Sequence, residues 1–597
     1  LAKVELQRVA KLAKDRMIAR YFYPFAYFTP QFQKNNMLFT EFPYLRPDME
    51  ALSASIRRKL TEFEKAASLD VQNVLLDEIN TLRSDFLSMS NICLIRHTIN
   101  VNDAFYKEEQ HFFDREMPVF EGLNFEYYQK LLASPFRNAL EEKWGKQLFR
   151  VAELHLKTFS PEILDDLRLE NELNSKYVQL KGGAQIEFRN QTYNLSSILK
   201  LESDPDRNTR RAASEARWGF FEAHRAEIDE IFHQLVQTRH RIAQKLGFEN
   251  FIALGYARML RSDYNAEKVA EFREEIRKYI VPLAADLYER QRRRLGIDAL
   301  YYYDEDFRFA DANAAPKGNP EWIVRQADRM YRELSPETHT FFRFMQENAC
   351  MDLPARDGKA PGGYCTFVSK HGTPFIFSNF NGTSADIDVL THEVGHAFQV
   401  YSSRDIGLND YYWPTYEACE IHSMSMEFFT WPWMSLFFEQ DTPKYYFAHL
   451  SAAICFLPYG VAVDAFQHEV YAHPEWSPAQ RHSAWRQIER KYLPWRKYPG
   501  NDFLEQGSFW VKQSHIFGMP FYYIDYVLAQ ICAMQFWKRD REDHQSAWND
   551  YLRLCQAGGS KSFLELVQLA GLRSPFDQGS VEITARDAAT WLDQAAF

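Results

Sequence analysis

The residues best placed to do chemistry are His392, Glu393 and His396, in Thr391-His-Glu-Val-Gly-His-Ala-Phe-Gln399. On a helix, positions i and i+4 share a face, so His392 and His396 can offer ring nitrogens to one metal ion. Glu393, about 100° further round, can reach a water on that ion without ligating the ion itself. Imidazole donors with a carboxylate favour zinc over cobalt or manganese. The bland alternative is a pair of histidines on an ordinary helix. Gly395, inside the motif, costs about 1 kcal/mol relative to Ala. Either a neighbouring helix or a substrate packs closely there, or the glycine is simply tolerated.

A catalytic zinc normally takes three protein ligands. The metzincin spacing needs Gly and His at 399 and 402, which hold Gln399 and Ser402. The thermolysin-like spacing puts a Glu near 415, where Thr415 stands. The next acids are Glu417, Glu420 and Glu427, and on a helix Glu420 and Glu427 share a face. Aromatic and Met residues crowd both sides, and carboxylates in such company need a compensating cation. Glu420 is the expected ligand and Glu417 its rival; His422 and Glu427 are placed to hold ligands in orientation. The similar His468-Glu-Val-Tyr-Ala-His473 is rejected, because its histidines diverge by about 140° on a helix.

Helices must hold these side chains, and the chain supplies them. Among 597 residues, 46% are hydrophobic and 16% aromatic, enough for a large core and for two or three domains' worth of structure. With 24 Gly and 25 Pro, turns are spread thinly. A net charge of −11 disfavours nucleic acid and anionic membrane surfaces as partners. Residues 1 to about 180 read as successive amphipathic helices, and Tyr177 to Phe188 alternates around a Gly-Gly pair as a β-hairpin does. Helix returns from about Asp204 to Arg294, and again after the loop at 310–320. Residues 353–385 carry two or three short strands, and helix follows almost to the end. The expected organisation is an N-terminal helical domain over 1–190 and a catalytic helical domain over 191–597. Seven scattered cysteines without a CxxC pair predict reduced thiols in a cytoplasmic protein. No signal-peptide pattern opens at Leu1, and the apolar stretch from Ser451 to Val463, broken by Pro458 and Gly460, is too short to span a bilayer.

His-Glu-Val-Gly-His-Ala-Phe-Gln399, with Glu420-x-x-Ser423 downstream, resembles the thimet oligopeptidase family, in particular its oligoendopeptidase F branch. Four further segments look similar: Leu254 to Tyr264, Pro374 to Thr383, Phe456 to His468 and His515 to Tyr526. The resemblance implies a mainly α, zincin-like helical clamshell with a small β-sheet beside the HExxH helix and a deep substrate channel. It implies one zinc ion on His392, His396 and Glu420, with Glu393 as base. It also implies that His515, Tyr522 and Tyr526 stabilise the transition state. The segment is one residue shorter than in the thimet branch, so Tyr522 is taken with Tyr523 as its rival. Where some relatives carry a further His, this chain has Gln399. Tyr522 and Tyr526 are a helical turn apart, and Pro520 fits a helix's first turn, which leaves His515 in the preceding loop. Phe375 to Phe380 is a candidate edge for pairing with an extended peptide.

The expected function is therefore a zinc-dependent endopeptidase that hydrolyses internal bonds of short oligopeptides. The nearest alternative is a related HExGH carboxypeptidase or dipeptidyl carboxypeptidase, which needs a cation or donor set for a free carboxylate. A non-catalytic, zinc-retaining peptide-binding protein is a third reading, and the intact Glu393 argues against it.

Overall fold

Short polar residues open the first long helices. Asp48, Ser68 and Asp103 accept hydrogen bonds from the first-turn amides of Met49–Glu64, Leu69–Ile99 and Ala104–Leu132. The computed structural model describes residues 37–595 and 597, so the sequence reading of residues 1–36 lies outside the described part. Residues Met37–Phe597 hold together as one compact unit. Ile79, Phe86, Phe113, Phe120 and Tyr127 form the core between the first helices.

Several contacts clasp this layer to the rest, two of them next to the motif helix. Buried Arg83 pairs with Asp410 at 2.9 Å, and Asn91 Nδ2 donates to the Phe367 carbonyl at 2.9 Å. Removing one partner of a buried pair such as Arg83–Asp410 costs about 3–5 kcal/mol. Asp410 follows the motif helix in the chain, and Phe367 lies in the sheet beside that helix.

The hairpin exists but is displaced from its expected place. Tyr177 to Gly182 belong to the helix Leu164–Gly182, which the Gly182-Gly183 pair ends. The strands are β1 (Ile186–Phe188) and β2 (Gln191–Tyr193), antiparallel. Arg189 and Asn190 join them with φ of 52° and 63°, a two-residue turn whose positive angles suit the strand twist.

The second sheet holds β3 (Met351–Pro354), β4 (Tyr364–Val368) and β5 (Thr373–Phe380), in the order β3-β5-β4. Strand β5 runs parallel to β3 and antiparallel to β4. Phe375 to Phe380 is thus a central strand and no free edge. Its near-complete burial explains why it reads as a continuous apolar run rather than an alternating one. A turn leads from β5 into the motif helix, Ala385–Ser403. Both Asp386 carboxylate oxygens fix that turn, accepting from the amides of Asn381 and Gly382 at 2.8 Å each.

Beyond it come the glutamate helix, Tyr416–Phe429, the long core helix, Thr442–Ala472, and the tyrosine helix, Tyr523–Glu542. The core helix runs through Pro458 and Gly460 without a break, contrary to the sequence expectation. Val527 occupies the space that a Gly460 side chain would fill. With the preceding turns it is long and apolar enough to cross a membrane, yet 72% of its most apolar window is buried inside the fold. Its apolar side chains pack in the common core.

Candidate metal centre

The motif and glutamate helices touch backbone to backbone. A Cβ at Gly395 would stand 2.6 Å from Ser423 Cα and 2.7 Å from the His422 carbonyl oxygen. The mid-helix glycine therefore serves a neighbouring helix. This approach sets Glu420 against both histidines. Its Oε2 lies 3.2 Å from His392 Nε2 and 3.4 Å from His396 Nε2. One donor atom from each of the three residues lies within 4.8 Å of the others.

Each donor is itself held. Glu420 Oε1 accepts from the Tyr522 hydroxyl, and Oε2 accepts from Ser423 Oγ at 2.9 Å. Glu427 spans two rings, its Oε1 2.7 Å from His392 Nδ1 and its Oε2 2.9 Å from His449 Nε2. Trp431 Nε1 then donates to His449 Nδ1 at 3.2 Å. Such partners fix the tautomer and the direction of a ligating ring. His449 and Trp431 escaped the sequence reading, since nothing in their spacing ties them to the motif. Glu417 lies outside the cluster, with both carboxylate oxygens buried and unpartnered among the described residues. His422 turns away, its Nδ1 2.6 Å from the Ala418 carbonyl.

Charge balance favours a cation here. Burial would push Glu420 up, but the His396 and His392 rings outweigh it and hold the carboxyl well below its usual range. Glu393 shows the opposite balance: burial raises it despite both imidazoles, and its Oε2 has no partner among the described residues. Two imidazoles and a carboxylate with converging donor atoms match a catalytic zinc donor set. The residues fit such an ion.

The segment carrying His515 departs from expectation. His515 sits in a one-turn helix, Ser514–Gly518, rather than a loop, and Pro520 lies in the turn before the tyrosine helix. Phe521 makes that turn with φ of +68° while fully buried. Its amide donates to Gln467 Oε1 at 2.8 Å, and its carbonyl accepts from Arg261 Nη2 at 2.5 Å. The same nitrogen also reaches Asp525 Oδ1 at 2.6 Å. Gly255 leaves room for the Phe521 ring, which a Cβ would meet at 2.5 Å.

Tyr522 and Tyr526 consequently face one way, with ring centroids 4.9 Å apart. Tyr526 Oη is 3.4 Å from His515 Nε2. Gln513 Nε2 donates to His515 Nδ1 at 2.7 Å, and burial pushes the ring down to about 4, so it is neutral. Tyr523 instead packs against Phe456 and Tyr459, each at 5.7 Å between centroids, and makes no hydrogen bond to the cluster among the described residues. In the rejected HExxxH, His468 faces Tyr256 Oη at 3.2 Å while His473 stacks on Trp476 at 4.5 Å. The two rings have separate surroundings.

Comparison with known proteins places the chain. The family model for the peptidase M3 N-terminal domain matches residues 39–159, and the model for peptidase family M3 matches residues 200–585. The chain belongs to peptidase family M3. Within this family it falls in the oligoendopeptidase F branch, and it is an enzyme of the metallopeptidase class. It is 57% identical to PZ peptidase A, solved with an inhibitor, over 93% of this chain and 99% of that one, with a TM-score of 0.92. A protein described as an oligoendopeptidase F from Bacillus anthracis str. Ames is 52% identical over 93% of this chain and 98% of that one, with a TM-score of 0.88. The oligoendopeptidase F homolog of Borreliella burgdorferi is 23% identical over 349 residues. That match spans 56% of this chain and 57% of the relative's length. The mainly helical fold with small sheets is the clamshell of the M3 oligopeptidases.

Proposed function

We propose that this M3 peptidase is a zinc-dependent endopeptidase acting on internal bonds of short peptides, with His392, His396 and Glu420 as ligands. One observation carries the reading: three donor atoms converge beside a buried glutamate, Glu393, whose Oε2 is unpartnered among the described residues. Zinc held by His392, His396 and Glu420 would supply a Lewis acid to polarise the peptide carbonyl. Glu393 takes the proton of the attacking water and returns it to the departing amine, a task that its burial-raised affinity for protons suits. His515 and Tyr526 line one side of the cluster as donors for the developing oxyanion, with Gln513 fixing the His515 ring. Tyr522 belongs to the same wall and also steadies Glu420.

Because β5 is paired on both sides, an added peptide strand is assigned to the outer edge of β4. That edge adjoins Gly363, where a Cβ would stand 3.5 Å from Glu393 Oε1. All seven cysteines are free, which supports the cytoplasmic setting that we propose.

The test is hydrolysis of internally quenched peptides of roughly eight residues, both ends blocked, by wild type and Glu393→Gln at equal bound zinc. Cleavage that falls by about 10²–10⁴ in the variant is the expected outcome. Release of residues from free C-termini alone would move the enzyme to the carboxypeptidase reading.

A further inference from the structure

Along the wall that carries His515, one cation makes no ion pair among the described residues. Lys512 precedes His515 by three residues, and its ammonium has no hydrogen bond or ion pair among the described residues. Aromatic faces surround it instead: Phe509 at 4.2 Å, Tyr459 at 5.7 Å and Trp218 at 6.0 Å from Nζ to ring centroid. Neighbouring cations are already matched. Arg217 grips Glu202 at 2.5 and 2.9 Å, and Arg496 grips Glu305 at 2.9 and 2.5 Å. Asp306, exposed at the surface, and Glu202, already held by Arg217, also act on Lys512, but both lie beyond ion-pair distance.

The position is tied to the catalytic wall. Tyr459, which forms one face of the box, donates its hydroxyl to Gln513 Oε1 at 3.0 Å, and Gln513 in turn holds His515. Tyr459 and Tyr523 pack edge to face at 5.7 Å, and Tyr523 lies 5.2 Å from His515. Lys181 pins the backbone here, its Nζ donating to the Lys512 carbonyl at 2.9 Å and to Ser514 Oγ at 2.6 Å. Lys512, Tyr459, Tyr523 and His515 are all partly accessible.

We propose that Lys512 docks a carboxylate of the bound peptide, its C-terminus or an acidic side chain, at the end of the aromatic wall that leads from His515. The inference rests on the peptidase reading above and adds a substrate class to it. An ammonium over aromatic faces is poorly solvated by water and stabilised by the ring quadrupoles, so an incoming anion meets a cation it can pair with directly. Burial pushes Lys512 down to about 7, and a docked carboxylate restores the charge that burial disfavours. Flanking aromatic faces suit apolar side chains next to that carboxylate.

The test uses binding, so that it does not depend on turnover. Labelled octapeptides in four forms, with a C-terminal carboxylate or amide combined with an internal Glu or Gln, are titrated by fluorescence anisotropy. The proteins are full-length Glu393→Gln alone and combined with Lys512→Met or Lys512→Arg. We expect one carboxylate to tighten binding about tenfold with Lys512 or its arginine replacement, and the preference to vanish with Lys512→Met. The arm that shows the difference identifies the source. Equal affinity for all four peptides, or a preference that survives Lys512→Met, overturns the proposal. Arginine keeps the charge and reports on the fold, and the doubly neutral peptide serves as an internal reference. Hydrolysis by the zinc-loaded wild type is scored separately: cleavage without a carboxylate preference sinks this inference and leaves the proposed function standing. Preference without cleavage does the reverse.

Discussion

The Tyr522 hydroxyl donates to Oε1 of Glu420, a bond that joins the tyrosine helix to the glutamate helix at the candidate metal centre. Ser423 Oγ occupies the other oxygen from within the same helix. Glu420 is only 2% exposed, so these two donors and the facing imidazoles account for its polar surroundings.

Tyr522→Phe therefore removes one of the two hydrogen bonds that orient Glu420, and a donor from the wall. Zinc affinity should fall about tenfold, the low end for loss of a group behind a ligand. Competition against a chromophoric chelator measures it. An unchanged affinity would mean that the bond does not orient the ligand.

Glu427 holds His392 by Nδ1 and is itself held by His449. Glu427→Gln should cost about 10–100-fold in zinc affinity, and His449→Phe less, because it acts one bond further away. The same chelator competition ranks the two, and a larger loss in His449→Phe would reverse the assigned order.

These residues also show how much the sequence disclosed. His392, Glu393 and His396 were legible because helical periodicity alone puts them together. Glu420 followed from the exclusion of other spacings and from an acidic face among apolar neighbours. The central place of β5 was not legible: pairing partners are set by long-range contacts, and an apolar run reads the same at an edge or in the middle. The Phe521 turn was hidden for a related reason. A phenylalanine carries no local signal for a positive φ, which here is imposed by Gln467 from the core helix and by Arg261 from a loop.

Gly395→Ala tests the helix contact. The added methyl meets backbone atoms of Ser423 and His422, which cannot swing aside as a side-chain tip could. We expect a loss of about 1–3 kcal/mol in stability, read as a lower thermal midpoint. Zinc stoichiometry should drop as well, since the methyl wedges Glu420 away from the histidines. A variant of wild-type stability would show that the helices separate freely.

Acid stability should depend on Glu170, which lies 2.9 Å from Arg258 and 2.6 Å from Arg239. Burial opposes its ionisation, but the two guanidiniums outweigh burial and hold the carboxyl down to about 2. The unfolded chain, with an ordinary value of 4.5, binds the proton more readily. The stabilisation is thus complete above about pH 4.5 and lost as the pH falls toward 2, amounting to about 3 kcal/mol at most. Acid-unfolding curves of wild type and Glu170→Gln should differ in slope across that window. At neutral pH the variant should be about 3–5 kcal/mol less stable, because two partly or fully buried arginines lose their partner.

The turn at Phe521 has a consequence for the making of the enzyme. In a chain emerging from the ribosome, the HExxH residues lie within one stretch of sequence and can be brought onto one helical face by local contacts. The chain cannot aim Tyr522 and Tyr526 until Gly255, Arg261 and Gln467 have all arrived, because no local preference sustains that backbone angle. Residues hundreds of positions apart in synthesis must dock before the wall exists. A half-made molecule therefore lacks this wall, which is completed only when the distant segments have docked.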